Sequence, residues 1–385
     1  MYFKRGKRLK AKILILLVIL IMVGLTSAGC IKGLQPIGWS GGEVSDGTLF
    51  VGSKEGKLVA INLADDSRQW SEPLKSSAPT GGFGCLPAGG EGCSAAPSGV
   101  AIYGTPAVSG DLVYIGGYNG KIYAYNASSL VARWVYPREG NLKPIVGGLL
   151  VAQGKVYFGG SDGKVYALDA ATGDKLWEFD TGDKIWSAPA VEGDTLFVGS
   201  YDNKLYALNA ADGSKEWEFE AEGAMASSPL VHDNTVFIGS FDRHLYAFNA
   251  DDGTIRWKFM GENWFWAKPA IYNNTVYAAC LDGKVYALKA DSGGKITEFD
   301  LGSPVSSSPA VVDSSLVFAS REGMVYSIDT GSNKLKRLAD IESDIYGPLY
   351  ASEGIVYAHT QDLTLHRINA DTGAKLMSIS LKSKD

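Results

Sequence analysis

The residues of this chain with chemistry to offer are four histidines, four cysteines and a set of paired acids. His232, His244, His359 and His366 show no spacing that would bring two imidazoles to one metal ion. His232 and His244 fall in turns and His366 on a strand, and all four read as solvated or hydrogen-bonded side chains. Asp65-Asp66 and Asp251-Asp252-Gly253 resemble the start of calcium loops but lack the further oxygen ligands. Most other acids sit in turns such as Asp162-Gly163, Asp202-Asn203 and Asp282-Gly283, where turn geometry accounts for them. Gly159-Gly160-x-x-Gly163 lies on a hairpin and not ahead of a helix, so no phosphate cradle follows. No catalytic set and no metal site is expected.

The cysteines carry different information. Cys30 follows Thr26-Ser27-Ala28-Gly29. Ahead of these lie the cations Lys4, Arg5, Lys7, Arg8, Lys10 and Lys12, and then an apolar run over 13–25 that is short for a bilayer span. Small residues directly before a cysteine resemble a bacterial lipobox, although Ser27 stands where Leu is usual. The resemblance implies that residues 1–29 are a cleaved signal and that Cys30 receives a lipid. Cys85 and Cys93 flank a Gly-rich loop, and an exported compartment permits a disulfide between them. Cys280 stands where other copies of a repeat have Gly or Ser, and reads as a buried thiol.

Charge narrows the partners. The whole chain has a formal charge of −6. Without the six leader cations, 30 basic residues face 42 acidic ones, a formal −12. Dispersed acidic charge excludes nucleic acid as the natural partner. It also supplies no basic patch for anionic lipid, so membrane attachment would fall to the lipid on Cys30.

The elements that must position these residues repeat. Taking 156–177 as template, aligned copies start at Leu49, Val113, Val156, Leu196, Val236, Val276, Leu316 and Val356, and the last six starts are 40 residues apart. Within one copy, 187–192, 195–200, 205–209 and 215–219 are short runs rich in β-branched and aromatic residues. Turn pairs such as Gly193-Asp194 punctuate them. Four strands per repeat and a period of about 40 predict an all-β, eight-bladed β-propeller of four-stranded antiparallel blades. The expected organisation is a leader over 1–29, a tether over 30–36 and the propeller over 37–385. A Cys-containing insertion over 71–104 interrupts the propeller.

Ala167-x-Asp169-x-x-Thr172-Gly173-x-x-x-Trp177 is similar to the tryptophan-docking motif of PQQ-type (quinoprotein) propeller repeats. Ala207, Asn209, Asp212, Gly213 and Trp217 repeat it, as do Ala247, Asn249, Asp252, Gly253 and Trp257. Trp70 and Trp134 hold the same slot, whereas Thr297, Arg337 and Met377 replace the ring in the last three copies. The resemblance implies that Trp70, Trp134, Trp177, Trp217 and Trp257 pack between neighbouring blades, and that the late blades dock less tightly. It also raises a redox reading. In quinoprotein dehydrogenases PQQ sits at the propeller centre on calcium, under a disulfide between adjacent cysteines. This chain has no Cys-Cys pair. No cofactor is therefore expected, and PQQ with calcium belongs only to that alternative.

In this repeat type the connection from a fourth strand to the next first strand reaches the channel mouth. Just before the prolines of these connections stand Tyr103, Trp186, Met225, the run Trp264-Phe265-Trp266, and Tyr346. These residues form the candidate interaction surface. Two readings stay open: the groups meet a partner, or they plug the channel. The insertion over 71–104 is expected on the same face, as a functional loop or a stiffened surface loop. With its leader type, length and repeats the chain resembles the propeller lipoproteins of outer-membrane β-barrel assembly. That resemblance implies a non-catalytic envelope scaffold, a monomeric subunit bound to envelope protein partners. A glycan-binding surface propeller, with Trp264 and Trp266 as stacking platforms, is a further alternative. Cys30→Ser is expected to release the protein from the membrane fraction or leave the leader uncut. Fractionation and processing like wild type would remove the lipid from this reading.

Overall fold

The computed structural model describes residues 40–53, 55–75, 100–360 and 362–382. The leader, Cys30, Cys85, Cys93 and most of the insertion lie outside the described residues. Eight four-stranded antiparallel sheets follow one another along the chain, each with its strands in sequential order. First strands touch those of neighbouring blades, and the contact between Gly42–Ser45 and Tyr350–Ser352 closes the ring. The protein is an eight-bladed β-propeller.

The fourth blade shows how sequence becomes sheet. Its strands are Ala190–Glu192, Thr195–Gly199, Lys204–Asn209 and Lys215–Glu220. The two middle strands are continuous apolar runs because both of their faces are covered. The fourth alternates exposed and half-buried positions, as an outer edge does. The first strand is shorter than the run 187–192 suggests. Pro189 has no N–H for a ladder, and the Ser187 hydroxyl donates instead to the Gly199 carbonyl at 2.7 Å. Paired left-handed residues make the first hairpin turn, for example Asn273 (φ 45°) and Asn274 (φ 57°). That turn type matches the right-handed twist of its strands.

One apolar cluster fills each inter-blade space. Tyr157, Val165 and Trp177 of the third blade meet Leu196, Val198 and Leu208 of the fourth. Phe197, Leu205 and Met225 repeat the arrangement against Val236, Ile238 and Phe248 of the fifth. The tryptophans complete these spaces from the outside. A register shift beside Ala167 and its equivalents places each ring opposite a small residue, as in the pair Ala167 and Trp177. Each indole N–H then donates to an alanine carbonyl of the next blade: Trp134 to Ala170 at 3.0 Å, Trp177 to Ala210 at 3.3 Å, Trp217 to Ala250 at 2.9 Å and Trp257 to Ala290 at 2.8 Å. The ring lies flat on a glycine of the receiving turn. A Cβ at Gly213 would stand 2.5 Å from the Trp177 ring, and φ there is +75°, so only glycine meets both demands.

The turn acids do similar work. Asp202 accepts the Tyr206 hydroxyl at 2.7 Å, the Lys204 N–H at 3.0 Å and, from the preceding blade, the Gly182 N–H at 2.6 Å. Asp242 and Asp282 repeat this three-way contact with Tyr246 and Glu222, and with Tyr286 and Glu262.

The seam between the eighth and first blades is built differently. In the first blade the register shift is missing, so Trp70 pairs with Val59 and not with Ala60. Trp70 therefore faces the eighth blade, beside Tyr357, Leu365 and Ile379, and does not dock onto the second. In the eighth blade Arg367 holds the alanine slot, and Met377 in the tryptophan slot is 73% exposed. Arg367 grips Asp66 of the first blade through two bonds of 2.6 and 3.0 Å. Asp66 occupies the slot of the receiving glycine, with φ of 60°. A two-pronged ion pair thus replaces the ring-on-glycine contact where the circle closes. Trp177→Ala and Trp257→Ala are expected to cost about 3–5 kcal/mol each, as truncation of a buried aromatic does. Met377→Ala should cost far less. Equal shifts in thermal unfolding would show that the rings are not inter-blade wedges.

Candidate functional site

The connections from fourth to first strands and the turns after second strands share one face, because each binds the other. The Tyr201 N–H donates to the Lys184 carbonyl at 3.0 Å, the Phe241 N–H to Ala224 at 3.0 Å and the Leu281 N–H to Trp264 at 2.9 Å. This lattice brings the aromatic residues of successive blades into a row. Trp186 meets Tyr201 edge-on at 4.9 Å, and Tyr201 meets Phe241 edge-on at 5.7 Å. Phe241 then stacks on both Trp264 (4.4 Å) and Trp266 (5.4 Å). The Lys184 ammonium lies over Trp186 and Tyr201, 4.9 and 4.4 Å from the ring centres. On the same face Arg321 lies over Tyr346 at 4.8 Å and donates twice to its hydroxyl, at 3.0 and 2.8 Å. Tyr103 meets Tyr118 at 5.3 Å.

The residues expected to form this surface divide into three kinds. Trp264 stands outermost and is 44% exposed. Tyr103, Trp186, Trp266 and Tyr346 line the central cavity, which holds about 470 Å³. Met225 and Phe265, at 0 and 1% exposure, are not surface residues. They occupy the same slot as Ile185 and Ile345, and point into the inter-blade clusters. The reason is close approach: the strand ends they cover are Gly199 and Gly239, where no side chain competes for the space. Within the run Trp264-Phe265-Trp266 the middle ring is therefore core, and its neighbours face outward and into the channel.

Tyr118, Lys184, Tyr201, Phe241 and Arg321 belong to this face and escaped the motif reading. Their signal was positional. Tyr118, Tyr201, Phe241 and Arg321 share one slot, the first residue of the turn after the second strand.

The titratable side chains away from this face are mostly structural. The Cys280 thiol donates to the Asn263 carbonyl at 3.2 Å, and burial pushes its pKa up to about 12, which makes it a poor nucleophile. Among the described residues no three His, Cys, Asp or Glu side chains gather as a metal-ligand group. The histidines correct one expectation. His359 and His366 are not fully satisfied: the Nε2 atoms of both are buried without a hydrogen-bond partner among the described residues. His359 Nδ1 meets the Ser40 carbonyl at 3.2 Å across the seam. It stands where the other seven blades have Gly or Ala.

These features define a β-propeller of PQQ-like repeats. The chain belongs to the family described as "Beta-alanine-activating enzyme, beta-propeller", whose model matches residues 147–384. The model described as "Outer membrane protein assembly factor BamB" matches residues 32–179. Among solved structures the chain is similar to BamB from Moraxella catarrhalis, with 17% identity and a TM-score of 0.68 over 85% of this chain and 95% of that one. The computationally designed Ika8 protein has 14% identity and a TM-score of 0.69, covering 86% and 95%. Sqt1 of Saccharomyces cerevisiae has 15% identity and a TM-score of 0.62, covering 70% and 82%. At such identities the likeness is one of fold. No curated protein matches the sequence.

Burial lowers the pKa of both His359 and His366, with Asp362 opposing the effect and, for His366, Lys375 adding to it. A histidine depressed in the fold is protonated first in the unfolded chain. Its contribution to stability is complete above the unfolded value of about 6.5 and is lost as pH falls below it. The melting temperature is expected to drop between pH 7 and 5. His359→Ala, which installs the residue found at Ala279 and Ala319, should flatten that drop. An unchanged slope in the variant would remove His359 as its source.

Proposed function

We propose that this protein is a non-catalytic scaffold of the cell envelope. In this reading it is anchored by a lipid on Cys30 and presents its aromatic face to a protein partner in outer-membrane protein assembly. The observation that carries the proposal is the continuous row Trp186, Tyr201, Phe241, Trp264 and Trp266, with Trp264 open to solvent. Interfaces draw most of their energy from a few large aromatic and Arg side chains set among polar neighbours. The face supplies both, with Lys184 lying over Trp186 of the row and Arg321 over Tyr346 beside it. The match of residues 32–179 to the outer membrane protein assembly factor model supports the same role. So does the fold shared with BamB. The leader motif supports export and the lipid anchor. The acids that suggest a cofactor site are held in turns by tyrosine and backbone bonds, which favours binding over chemistry.

Stacking of Trp264 on Phe241 fixes the ring before any partner arrives, which lowers the ordering cost of association. Trp264→Ala is expected to keep the circular dichroism spectrum of the fold. It should weaken capture of an outer-membrane assembly component, identified by mass spectrometry, at least tenfold, because about 1.4 kcal/mol is a factor of ten. Unchanged capture by a folded variant would move the interface elsewhere. A collapsed fold would make Trp264 a core residue.

A further inference from the structure

Two charged residues face the central cavity from different walls, Glu43 of the first blade and Lys268 of the sixth. Both depart from the repeat. The Lys268 slot is uncharged in the seven other blades, with Ala188, Ser228 and Ser308 as examples. The Glu43 slot is also uncharged elsewhere, and is alanine at Ala107, Ala190, Ala270 and Ala310. A backbone-to-hydroxyl bond links the lysine's slot to that of the next blade: the Lys268 N–H donates to the Ser308 hydroxyl at 3.1 Å, as Ala188 does to Ser228 at 2.9 Å. Loss of either charge would therefore leave a residue that this scaffold already carries in the same place. Neither charge builds the fold.

Among the described residues no ion pair or hydrogen bond is formed by the Lys268 ammonium or the Glu43 carboxylate. Both side chains are exposed to the open cavity, with protein crowded around their charged ends. Burial alone lowers the pKa of Lys268 and raises that of Glu43, so neither relieves the other. A charge crowded by protein and without a partner gains from an opposite charge on a ligand. An added anion would answer Lys268 and leave Glu43; an added cation would do the reverse. A ligand with both charges answers both. The same cavity is lined by the rings of Trp186, Trp266, Tyr103 and Tyr346, set among small and aliphatic residues. The volume of about 470 Å³ lies in the range of small-ligand sites.

We infer that the central channel binds a short zwitterionic ligand, a peptide of about two or three residues with free termini. The ligand's carboxylate would meet Lys268, its ammonium Glu43 and its apolar body Trp186 and Trp266. This site shares Trp186 and Trp266 with the aromatic row but not Trp264, and it goes beyond the scaffold role.

Isothermal titration calorimetry of the full chain with the tripeptide Ala-Ala-Phe tests the inference. The amidated, acetylated and doubly capped forms serve as comparisons. The free peptide is expected to bind, and capping either end should weaken it at least tenfold. Lys268→Ser should abolish the penalty of amidation and keep that of acetylation, and Glu43→Ala the converse. That crossed pattern separates charge recognition from simple apolar filling. Melting curves equal to wild type would confirm that both variants fold. No binding of the free peptide at millimolar concentration overturns the inference. Equal affinity of all four peptides, or variants that bind each form like wild type, overturns it as well.

Discussion

A four-stranded blade cannot cover its own two faces, and the whole structure answers that one constraint. The middle strands are apolar on both sides, so each blade is stable only between two others. Closure into a ring gives every blade two neighbours and leaves only the outer strands at an edge. The recurring tryptophan strengthens this solution at its weakest place, the outer rim, where the blades splay apart. A flat ring on a left-handed glycine, fixed by one bond to a neighbouring carbonyl, fills the wedge without disturbing either ladder.

Ring closure introduces an asymmetry that the repeats alone would not need. The last blade must meet the first, and neither carries the full docking set. Arg367 and Asp66 take over, joined by the Arg68 guanidinium donating to the Ser380 carbonyl at 2.9 Å. Polar groups suit this place because an ion pair with two parallel bonds fixes register and angle, whereas an apolar contact fixes area alone. Buried His359 at the same seam adds a charge-sensitive element to the ring's last joint.

Function, in this reading, lives where the repeat is free to vary. Strand cores and turns are held to type by packing and by positive φ, so they carry little individual character. The connections and the turn after the second strand bind each other through backbone atoms, which leaves their side chains uncommitted. An aromatic row, two cations lying over rings and Lys268 occupy those uncommitted slots, and Glu43 faces the same channel from a first strand. A scaffold of this kind separates the residues that fold from the residues that bind.

Local pattern was enough to determine the blade count and the four strands of each blade, and the resemblance to PQQ-type repeats implied the docking rings Trp134, Trp177, Trp217 and Trp257. These depend on alternation, turn chemistry and a fixed spacing between neighbours in the chain. Met377 in place of a docking ring was legible for the same reason. Tertiary structure alone decided the rest. Trp70 changes sides because one register shift is missing, and register is set by the partner strand. Met225 and Phe265 are core because a glycine on a distant strand leaves them room. Arg367 finds Asp66 across 301 positions of chain, a contact that exists only once the circle is shut. The row from Trp186 to Trp264 joins residues of successive blades, and Glu43 meets the same cavity as Lys268 only because the blades stand around one axis. Sequence spacing fixes what each blade is, and packing around a common axis fixes which side chains meet.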